Sequence, residues 1–192
     1  SVLGCGRWGS FIAWYLSRQG NQVTSWGPED SPSYEVLKNT GRNEYVALDE
    51  RIALTCDLER AVREAELIVI SISAQGLRGF MQRVMQYPVE GKNFVLCMKG
   101  IETGTGKRLS EILVESGVSP ANIAVWVGPG HIQSFVQGVP NCMVIDSENE
   151  ELKISLVERF KSDLIRFYYG NDLLGTEIGA AAKNVMGIAA GI

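Results

Sequence analysis

A glycine-rich stretch at the start of the chain is the first candidate for chemistry. In GCGRWG, Gly4, Gly6 and Gly9 have the G-x-G-x-x-G spacing, with Arg7 and Trp8 between them. Such glycines permit a tight turn, close approach of a pyrophosphate to the backbone, and close packing of a strand against a helix. The N-terminal amides of the following helix face the phosphates. The stretch therefore predicts a dinucleotide site formed by these five residues, with a plain strand–helix turn as the alternative.

An acidic residue about 20 positions beyond the glycines is expected to contact the adenosine ribose of the dinucleotide. Glu29 follows a predicted strand at this distance, and Asp30 comes next. No Arg or Lys lies between Arg18 and Lys38 to hold a 2′-phosphate. The predicted cofactor is therefore NAD, with NADP less favoured. The other interpretation of the two carboxylates is a solvated loop.

Two lysines occupy positions that suit catalysis. Lys99 follows an apolar strand, and doubly wound sheets bind ligands beyond such strand ends. Lys183 lies in GTEIGAAAKNVMGIAAG, a helix of small and apolar residues, which predicts its partial burial. Burial depresses the pKa of a lysine, so Lys183 is a candidate proton donor, with Asn184 beside it to contact substrate. The alternatives are an ordinary exposed Lys99 and a Lys183 that extends from a buried helix into solvent.

The segment GPGH, between a predicted strand and a predicted helix, is a further candidate site. The backbone amides of Gly128 and Gly130 are available to an anion or to the nicotinamide. His131 is the only histidine and thus a catalytic candidate, although its position favours the simpler interpretation of a helix-start residue. With one histidine and four scattered cysteines, no metal site is predicted.

Predicted strands and helices alternate along the chain. Strands are predicted at 2–3, 22–26, 51–55, 67–72, 93–99, 122–128, 141–146 and 164–170. Helices are predicted at 8–20, 34–39, 57–65, 76–87, 108–117, 131–138, 149–162 and from 173 onward. This alternation indicates an α/β fold, a Rossmann-like doubly wound, mostly parallel sheet with helices on both faces. We expect this dinucleotide-binding domain to cover 1–172, after which one long helix, rich in small residues, leads away from residue 173 onward.

The composition limits the classes of function. The chain has 192 residues, of which 45% are hydrophobic and 21% charged, and its net charge is −4. This balance argues against broad binding to nucleic acid or to an anionic membrane. No apolar run reaches the roughly 18 residues of a membrane span, so no integral membrane contact is expected. The isolated cysteines are expected to be reduced thiols in a cytoplasmic protein. Because the first strand is short and the last helix has no terminator, we expect a fragment of a longer chain.

Several stretches together resemble the NAD(P)-dependent glycerol-3-phosphate dehydrogenases over essentially the whole chain. They are GCGRWG, VTSWG, NEYVAL, the region 57–78, MKGIETGTGKRLSEIL, VGPGH with GVPN, and, most specifically, EIGAAAKNVMGIAAG. The resemblance implies hydride transfer between a nicotinamide and C2 of dihydroxyacetone phosphate or glycerol 3-phosphate, a reaction that feeds glycerophospholipid synthesis. It also implies that the full-length protein is a homodimer.

The resemblance assigns roles to individual residues. Lys183 is similar to the family's catalytic lysine, which polarises the carbonyl and supplies a proton; Lys99 is similar to its partner lysine. Cofactor contacts are implied for Ser73, Gln75 and Lys99. Substrate contacts are implied for Lys99, Gly128, Gly130, His131, Lys183 and Asn184. The resemblance also implies that 173–192 form the first helix of an all-α substrate domain. The family's further groups, an Asp, a Thr and an Arg-Asn pair, belong to the rest of that helical domain. This chain alone is therefore expected to bind the cofactor with little or no turnover.

The chain also departs from the family pattern. Ser73 stands where proline is usual, Gly130 where serine is common, Gln133 and Ser134 where an acidic residue is common, and Pro28 where NADP-using bacterial members tend to carry arginine. Two alternatives therefore remain open. One is a dehydrogenase for another small phosphorylated polyol or for a 2-oxo or hydroxy acid such as ketopantoate. The other is a non-catalytic dinucleotide-binding module.

Overall fold

An eight-stranded sheet forms the centre of the computed structural model, which describes all 192 residues. Its strands are β1 (Val2–Leu3), β2 (Val23–Trp26), β3 (Ile52–Thr55), β4 (Leu67–Ile70), β5 (Asn93–Leu96), β6 (Ile123–Val127), β7 (Asn141–Ser147) and β8 (Ile165–Tyr169). Their order is β3-β2-β1-β4-β5-β6-β7-β8. Only β6 and β7 pair antiparallel, and the other neighbours are parallel. The predicted Rossmann-like, mostly parallel sheet is confirmed.

Eight helices connect or follow these strands. They are α1 (Arg7–Arg18), α2 (Pro32–Thr40), α3 (Leu58–Arg63), α4 (Leu77–Val84), α5 (Leu109–Glu115), α6 (Ile132–Val136), α7 (Glu150–Phe160) and α8 (Leu173–Ala190). Asp57 caps α3, because its carboxylate accepts a hydrogen bond from the Arg60 amide (3.0 Å). None of the eight combines the length and the apolarity that a bilayer crossing requires.

Both faces of the sheet are covered by apolar side chains, as a parallel sheet requires. Alternate residues of β5 separate the two layers: Val95 belongs to a cluster of 24 buried residues on one face, and Phe94 and Leu96 to a cluster of 21 on the other. The first cluster includes side chains of α1 and α7, and the second includes side chains of α3, α4 and α5. This double packing holds the strand ends, where a ligand binds, in fixed relative positions.

The predicted ends of two central strands are too late. The strand predicted at 93–99 ends at Leu96, although the Cys97 amide still donates to the Ile70 carbonyl (3.0 Å). The strand predicted at 67–72 ends at Ile70. The apolar pattern continues past both ends because the following residues still pack on neighbours after the ladder stops. Lys99 consequently lies in a loop rather than in the sheet.

Candidate functional site

A cavity of about 750 Å³ lies beyond the carboxyl ends of the central strands. The glycine turn after β1 forms one wall, and residues 71–74 after β4 and 97–99 after β5 form the floor. Residues 126–128 and 130–133, at the end of β6 and the start of α6, close the far side. The position is the one at which doubly wound sheets bind ligands.

The three glycines of the turn have three different surroundings. Gly4 has φ +115°, and a Cβ atom there would lie 2.1 Å from the carbonyl oxygen of Ser71. A Cβ atom at Gly9 would lie 1.7 Å from the carbonyl oxygen of Gly4, so this glycine lets α1 pack against the turn. A Cβ atom at Gly6 would meet nothing within 4 Å, and Gly6 lines the cavity. No side chain caps α1, whose first amides have no acceptor within the helix. The residues present therefore fit a pyrophosphate.

Arg7 and Trp8 both line the cavity, and their contacts with a cofactor stay predictions. Trp8 is half-buried against Phe11, with 5.1 Å between the ring centroids. The guanidinium of Arg7 lies 5.8 Å from the ring centroid of Tyr45. Arg7 also lines a neighbouring cavity of about 840 Å³ together with Tyr45 and Arg42. The sequence analysis missed both Tyr45, which lies in the stretch NEYVAL, and Arg42, which directly precedes that stretch.

The end of β2 reaches the cavity through Pro28. Glu29 and Asp30 come next and are exposed to solvent, outside the cavity lining. Ser31 also lines the cavity and precedes α2 without a capping hydrogen bond from its side chain. The proposed ribose contact of Glu29 thus stays a prediction. Glu29 directly follows Pro28, which lines the cavity.

Lys99 is held at the cavity by a backbone acceptor. Its Nζ donates a hydrogen bond to the carbonyl oxygen of Gly128 (2.9 Å), which joins the loop after β5 to the loop after β6. Partial burial lowers the pKa of Lys99, and the positive charge of Lys183 lowers it further. The fold therefore brings two lysines that are 84 positions apart in the chain close enough for their charges to interact.

Lys183 and its neighbour Asn184 are exposed in these 192 residues. The predicted partial burial of Lys183 is not observed within these residues. The small residues of α8 let the helix approach β6 and β7, but only its N-terminal half is covered, and residues 183–192 lie on the surface. Small residues permit close packing without supplying a partner for every face of a helix.

His131 and Gly130 form the start of α6. His131 precedes the helix, its ring makes no capping hydrogen bond, and it is exposed at the rim of the cavity. This position agrees with the favoured interpretation of a helix-start residue. A Cβ atom at Gly130 would lie 2.5 Å from Cε2 of Phe135, and one at Gly128 would lie 2.9 Å from Cα of Met143. The glycine at 130, where the family commonly has serine, thus makes room for the Phe135 ring.

Ser73 and Gln75, both predicted to contact the cofactor, differ in their placement. Ser73 lines the cavity, whereas Gln75 does not. The Gln75 amide nitrogen donates to the carbonyl oxygen of Ile101 (2.9 Å), and its amide oxygen accepts from the Thr103 amide (2.9 Å). Gln75 thus ties the turn after β4 to the loop after β5, and a cofactor contact for it stays a prediction.

All four cysteines are free thiols, as the sequence predicts. Cys5 and Cys97 line the cavity and are buried. Burial raises the pKa of Cys5 to about 11, so its thiol is protonated and a poor nucleophile at neutral pH. No three His, Cys, Asp or Glu side chains gather where they could hold a metal ion.

Two buried carboxylates that the sequence analysis missed hold α8 against the sheet. Asp146, in β7, accepts hydrogen bonds from the Thr176 hydroxyl (2.7 Å) and from the Asp172 amide (3.3 Å). Glu177 is bonded to Arg108 and Ser110, at the start of α5. These contacts join residues 26 to 69 positions apart in the chain, so no local pattern indicates them.

The glycine turn, the open N-terminus of α1 and the cavity beyond the strand ends define a Rossmann-type dinucleotide-binding domain. The family described as NAD-dependent glycerol-3-phosphate dehydrogenase N-terminus matches residues 1–153. The chain belongs to this family.

Known proteins of the same family are similar over the whole chain. Glycerol-3-phosphate dehydrogenase [NAD(P)+] from Bradyrhizobium sp. is 36% identical over 194 residues, and that from Thermoanaerobacter sp. is 33% identical over 196 residues. Each comparison covers 100% of this chain but only 59% and 58% of those relatives. The crystal structure of glycerol-3-phosphate dehydrogenase from Coxiella burnetii has a TM-score of 0.88 at 26% identity, covering 99% of this chain and 59% of that one. The chain thus spans about three fifths of the length of these relatives.

Proposed function

We propose that the full-length protein is an NAD(P)-dependent glycerol-3-phosphate dehydrogenase that interconverts dihydroxyacetone phosphate and sn-glycerol 3-phosphate. The observation that carries this proposal is a pair of interacting lysines, Lys99 in the lining of the cavity and Lys183 on α8. Lys99 is fixed to Gly128 at the cavity, and the charge of Lys183 acts on it. A non-catalytic dinucleotide-binding module needs the glycine turn but neither lysine.

The proposed chemistry adds a hydride and a proton across one carbonyl bond. The nicotinamide, when bound, supplies the hydride to C2 of dihydroxyacetone phosphate and accepts it in the reverse direction. The ammonium of Lys183 donates the proton to the carbonyl oxygen in reduction and recovers it in oxidation. Lys99 adds a second positive charge, which favours the negative charge that develops on the oxygen and attracts the phosphate group. Asn184 is proposed to contact the substrate.

Turnover by the full-length protein tests this proposal. With NADH and dihydroxyacetone phosphate, we expect the absorbance of NADH to fall and sn-glycerol 3-phosphate to form, as identified by mass spectrometry. Ketopantoate is the matched rival substrate, and kcat/KM for dihydroxyacetone phosphate should exceed that for ketopantoate by about 100-fold or more. Binding of NADH and of NADPH without oxidation of either would instead support the non-catalytic module. Faster turnover of ketopantoate would move the proposal to that substrate.

We propose NAD rather than NADP as the preferred cofactor. The support is Glu29 after β2, next to Pro28 at the cavity wall, since a carboxylate there binds a ribose hydroxyl and repels a 2′-phosphate. The opposing feature is the neighbouring cavity with Arg7 and Arg42, neither of which forms an ion pair. Glu29→Ala should weaken NADH binding and strengthen NADPH binding, measured by titration calorimetry. Tighter binding of NADPH than of NADH by the unaltered protein would contradict the preference.

We further propose that the full-length protein is a cytoplasmic homodimer that binds neither nucleic acid nor a membrane. The four free thiols and the net charge of −4 support the compartment and the absence of polyanion binding. The dimer, the boundary between two domains at residue 172, and cofactor binding without turnover by residues 1–192 alone are implied by the family resemblance. Light scattering on the full-length protein should give twice the mass of one chain.

A further inference from the structure

Glu177 is the one buried side chain of α8, and the proposed reaction does not use it. We propose that Glu177 is a positioning residue whose carboxylate fixes α8 against α5 and so holds Lys183 beside Lys99. The inference rests on the proposed function, because it concerns the two lysines to which the proton transfer is attributed.

Both oxygens of the Glu177 carboxylate are engaged by the start of α5. Oε1 accepts a hydrogen bond from the Ser110 amide (3.0 Å). Oε2 accepts from the Ser110 hydroxyl (2.5 Å) and from Nη1 of Arg108 (2.9 Å). The Glu177 side chain is 6% exposed and that of Arg108 is 18% exposed. A buried carboxylate with one ion pair and two further hydrogen bonds is specified in both position and orientation.

The rest of α8 offers little else that fixes its position. The residues between Glu177 and Lys183 are Ile178, Gly179 and three alanines, and none of them is buried. Contacts of small side chains are short-ranged and non-directional, so they permit a helix to slide or rotate at small cost. Directional hydrogen bonds therefore determine the rotation and axial position of α8.

A second contact makes the placement rigid. Thr176 donates its hydroxyl hydrogen bond to Asp146 of β7 (2.7 Å), whereas Glu177 is bound by α5. Adjacent helical residues point about 100° apart, so the two contacts hold the helix from two sides. Glu177 supplies the only one of these contacts that includes an ion pair.

The helix transmits this placement to the lysines. Lys183 is six residues beyond Glu177, which is about 9 Å along the helix axis. Between them, Ala180 lines a small cavity together with Glu177 and Lys99, so α8 lies directly on the loop that carries Lys99. A rotation or shift of the helix at Glu177 therefore moves Lys183 relative to Lys99.

Glu177→Gln in the full-length protein is the test, with Glu111→Gln as the matched control. Glutamine retains an oxygen for the Ser110 amide but presents a donor to Arg108 where an acceptor is required. Glu111 is also a carboxylate partner of Arg108 (3.2 Å), but it belongs to α5 and does not contact α8. We expect Glu177→Gln to lower kcat by about 10- to 100-fold, with the Kd for NADH changed by less than about twofold. Glu111→Gln should change both kcat and the Kd for NADH by less than about twofold.

A second readout does not depend on activity. The apparent pKa of Lys99, followed by NMR of ¹³C-methylated lysines, should be higher in Lys183→Met than in the unaltered protein, because a neighbouring positive charge is removed. If Glu177 positions Lys183, Glu177→Gln should raise the pKa of Lys99 toward the Lys183→Met value, and Glu111→Gln should leave it unchanged. A purely structural role of Glu177 would lower the thermal stability without moving the pKa of Lys99.

The outcomes separate this inference from the proposed function. A folded Glu177→Gln protein with unchanged kcat and unchanged Lys99 pKa would overturn the inference, and so would equal effects of Glu111→Gln. If Glu177→Gln does not fold, Ser110→Ala removes one donor only and should give smaller changes in the same direction; unchanged values there would overturn the inference. If the unaltered protein does not reduce dihydroxyacetone phosphate, the proposed function fails, and the Lys99 pKa still decides whether Glu177 positions Lys183.

Discussion

At the scale of single residues, the space beside each glycine distinguishes a glycine that the fold requires from one that is available for ligand binding. A Cβ atom at Gly9 would lie 1.7 Å from the carbonyl oxygen of Gly4, whereas one at Gly6 would meet no atom within 4 Å. Gly9 is thus required by the fold itself. Gly6 leaves open the space that the phosphates of a dinucleotide are proposed to occupy.

Alanine substitutions at these two glycines should therefore affect different properties: Gly6→Ala mainly NADH binding, and Gly9→Ala mainly stability. Gly6→Ala should cost about 1 kcal/mol or less in the free energy of unfolding, as expected at a helix N-cap. It should weaken NADH binding by about 10-fold or more, because a methyl group would occupy the pyrophosphate position. Gly9→Ala should destabilise the fold by about 3 kcal/mol or more, because backbone atoms would have to move. Denaturant unfolding measures the free energy of unfolding, and NADH titration measures the affinity for the cofactor. A Gly9→Ala protein as stable as the unaltered one would contradict the packing argument.

What the sequence predicts at this scale depends on how local the signal is. The glycine turn and the position of Lys99 were predictable, because each follows from spacing next to a strand. Glu177 was not, because its partners Arg108 and Ser110 lie 69 and 67 positions earlier in the chain. The partial burial predicted for Lys183 is not observed within these residues, because small neighbours show that a helix is able to pack but not which side is covered.

At the scale of elements, one loop connects the cofactor cavity to α8. Gln75, at the edge of the cavity, bonds to the loop after β5, and that loop leads to the start of α5, which binds Glu177. Arg78 of α4 holds the same loop through Glu102 (2.8 Å) and also pairs with Glu115 (2.9 Å). The polar contacts of this loop thus fix the position of α5 relative to the sheet.

The Arg78–Glu102 contact predicts a specific pH dependence of stability. Hydrogen bonds from Arg78 and Thr105 lower the pKa of Glu102 from 4.5 to about 2. A lowered pKa in the folded state stabilises the protein above the unfolded value, and this contribution disappears as the pH falls from about 4.5 to about 2. Arg78→Gln should therefore be less stable than the unaltered protein at neutral pH, and the difference should shrink across this range.

Acid unfolding followed by circular dichroism measures this difference. Arg63→Gln is the control, because it removes an exposed ion pair within α3 (2.6 Å) and should change stability little at any pH. A difference between Arg78→Gln and the unaltered protein that stays constant from neutral pH to pH about 2 would contradict the assigned cause of the lowered pKa.

The type and order of the elements were predictable, because predicted strands and helices alternate along the chain. Strands that are covered on both faces are continuous apolar runs in the sequence. The ends of the strands were less predictable, because Cys97 and Met98 beyond Leu96 stay buried, and Ile72 beyond Ile70 stays partly buried, after the strands end. The antiparallel pairing of β7 with β6 has no signal in the composition of β7. It follows from how the short α6 turns the chain back along the edge of β6.

At the scale of the whole molecule, the sheet collects loops from distant parts of the chain at one edge. Residues after β1, β4, β5 and β6 form one cavity, and α8 passes beside it with Lys183 exposed. The same arrangement explains why α8 lies against the loop of Lys99 and why the charge of Lys183 lowers the pKa of Lys99, although the two lysines are 84 positions apart. In the proposed function, the N-terminal domain therefore holds the cofactor and α8 carries the proton donor.

Replacement of Lys183 in the full-length protein tests this account most directly. Lys183→Met should lower kcat for the reduction of dihydroxyacetone phosphate by about 10²- to 10⁴-fold, because a general acid is lost. Its Kd for NADH should stay within about twofold of the unaltered value, because the glycine turn is untouched. Lys161→Met is the control, since Lys161 pairs with Glu158 on α7 (2.6 Å), outside the cavity. Turnover by Lys183→Met within about twofold of the Lys161→Met control would contradict the account.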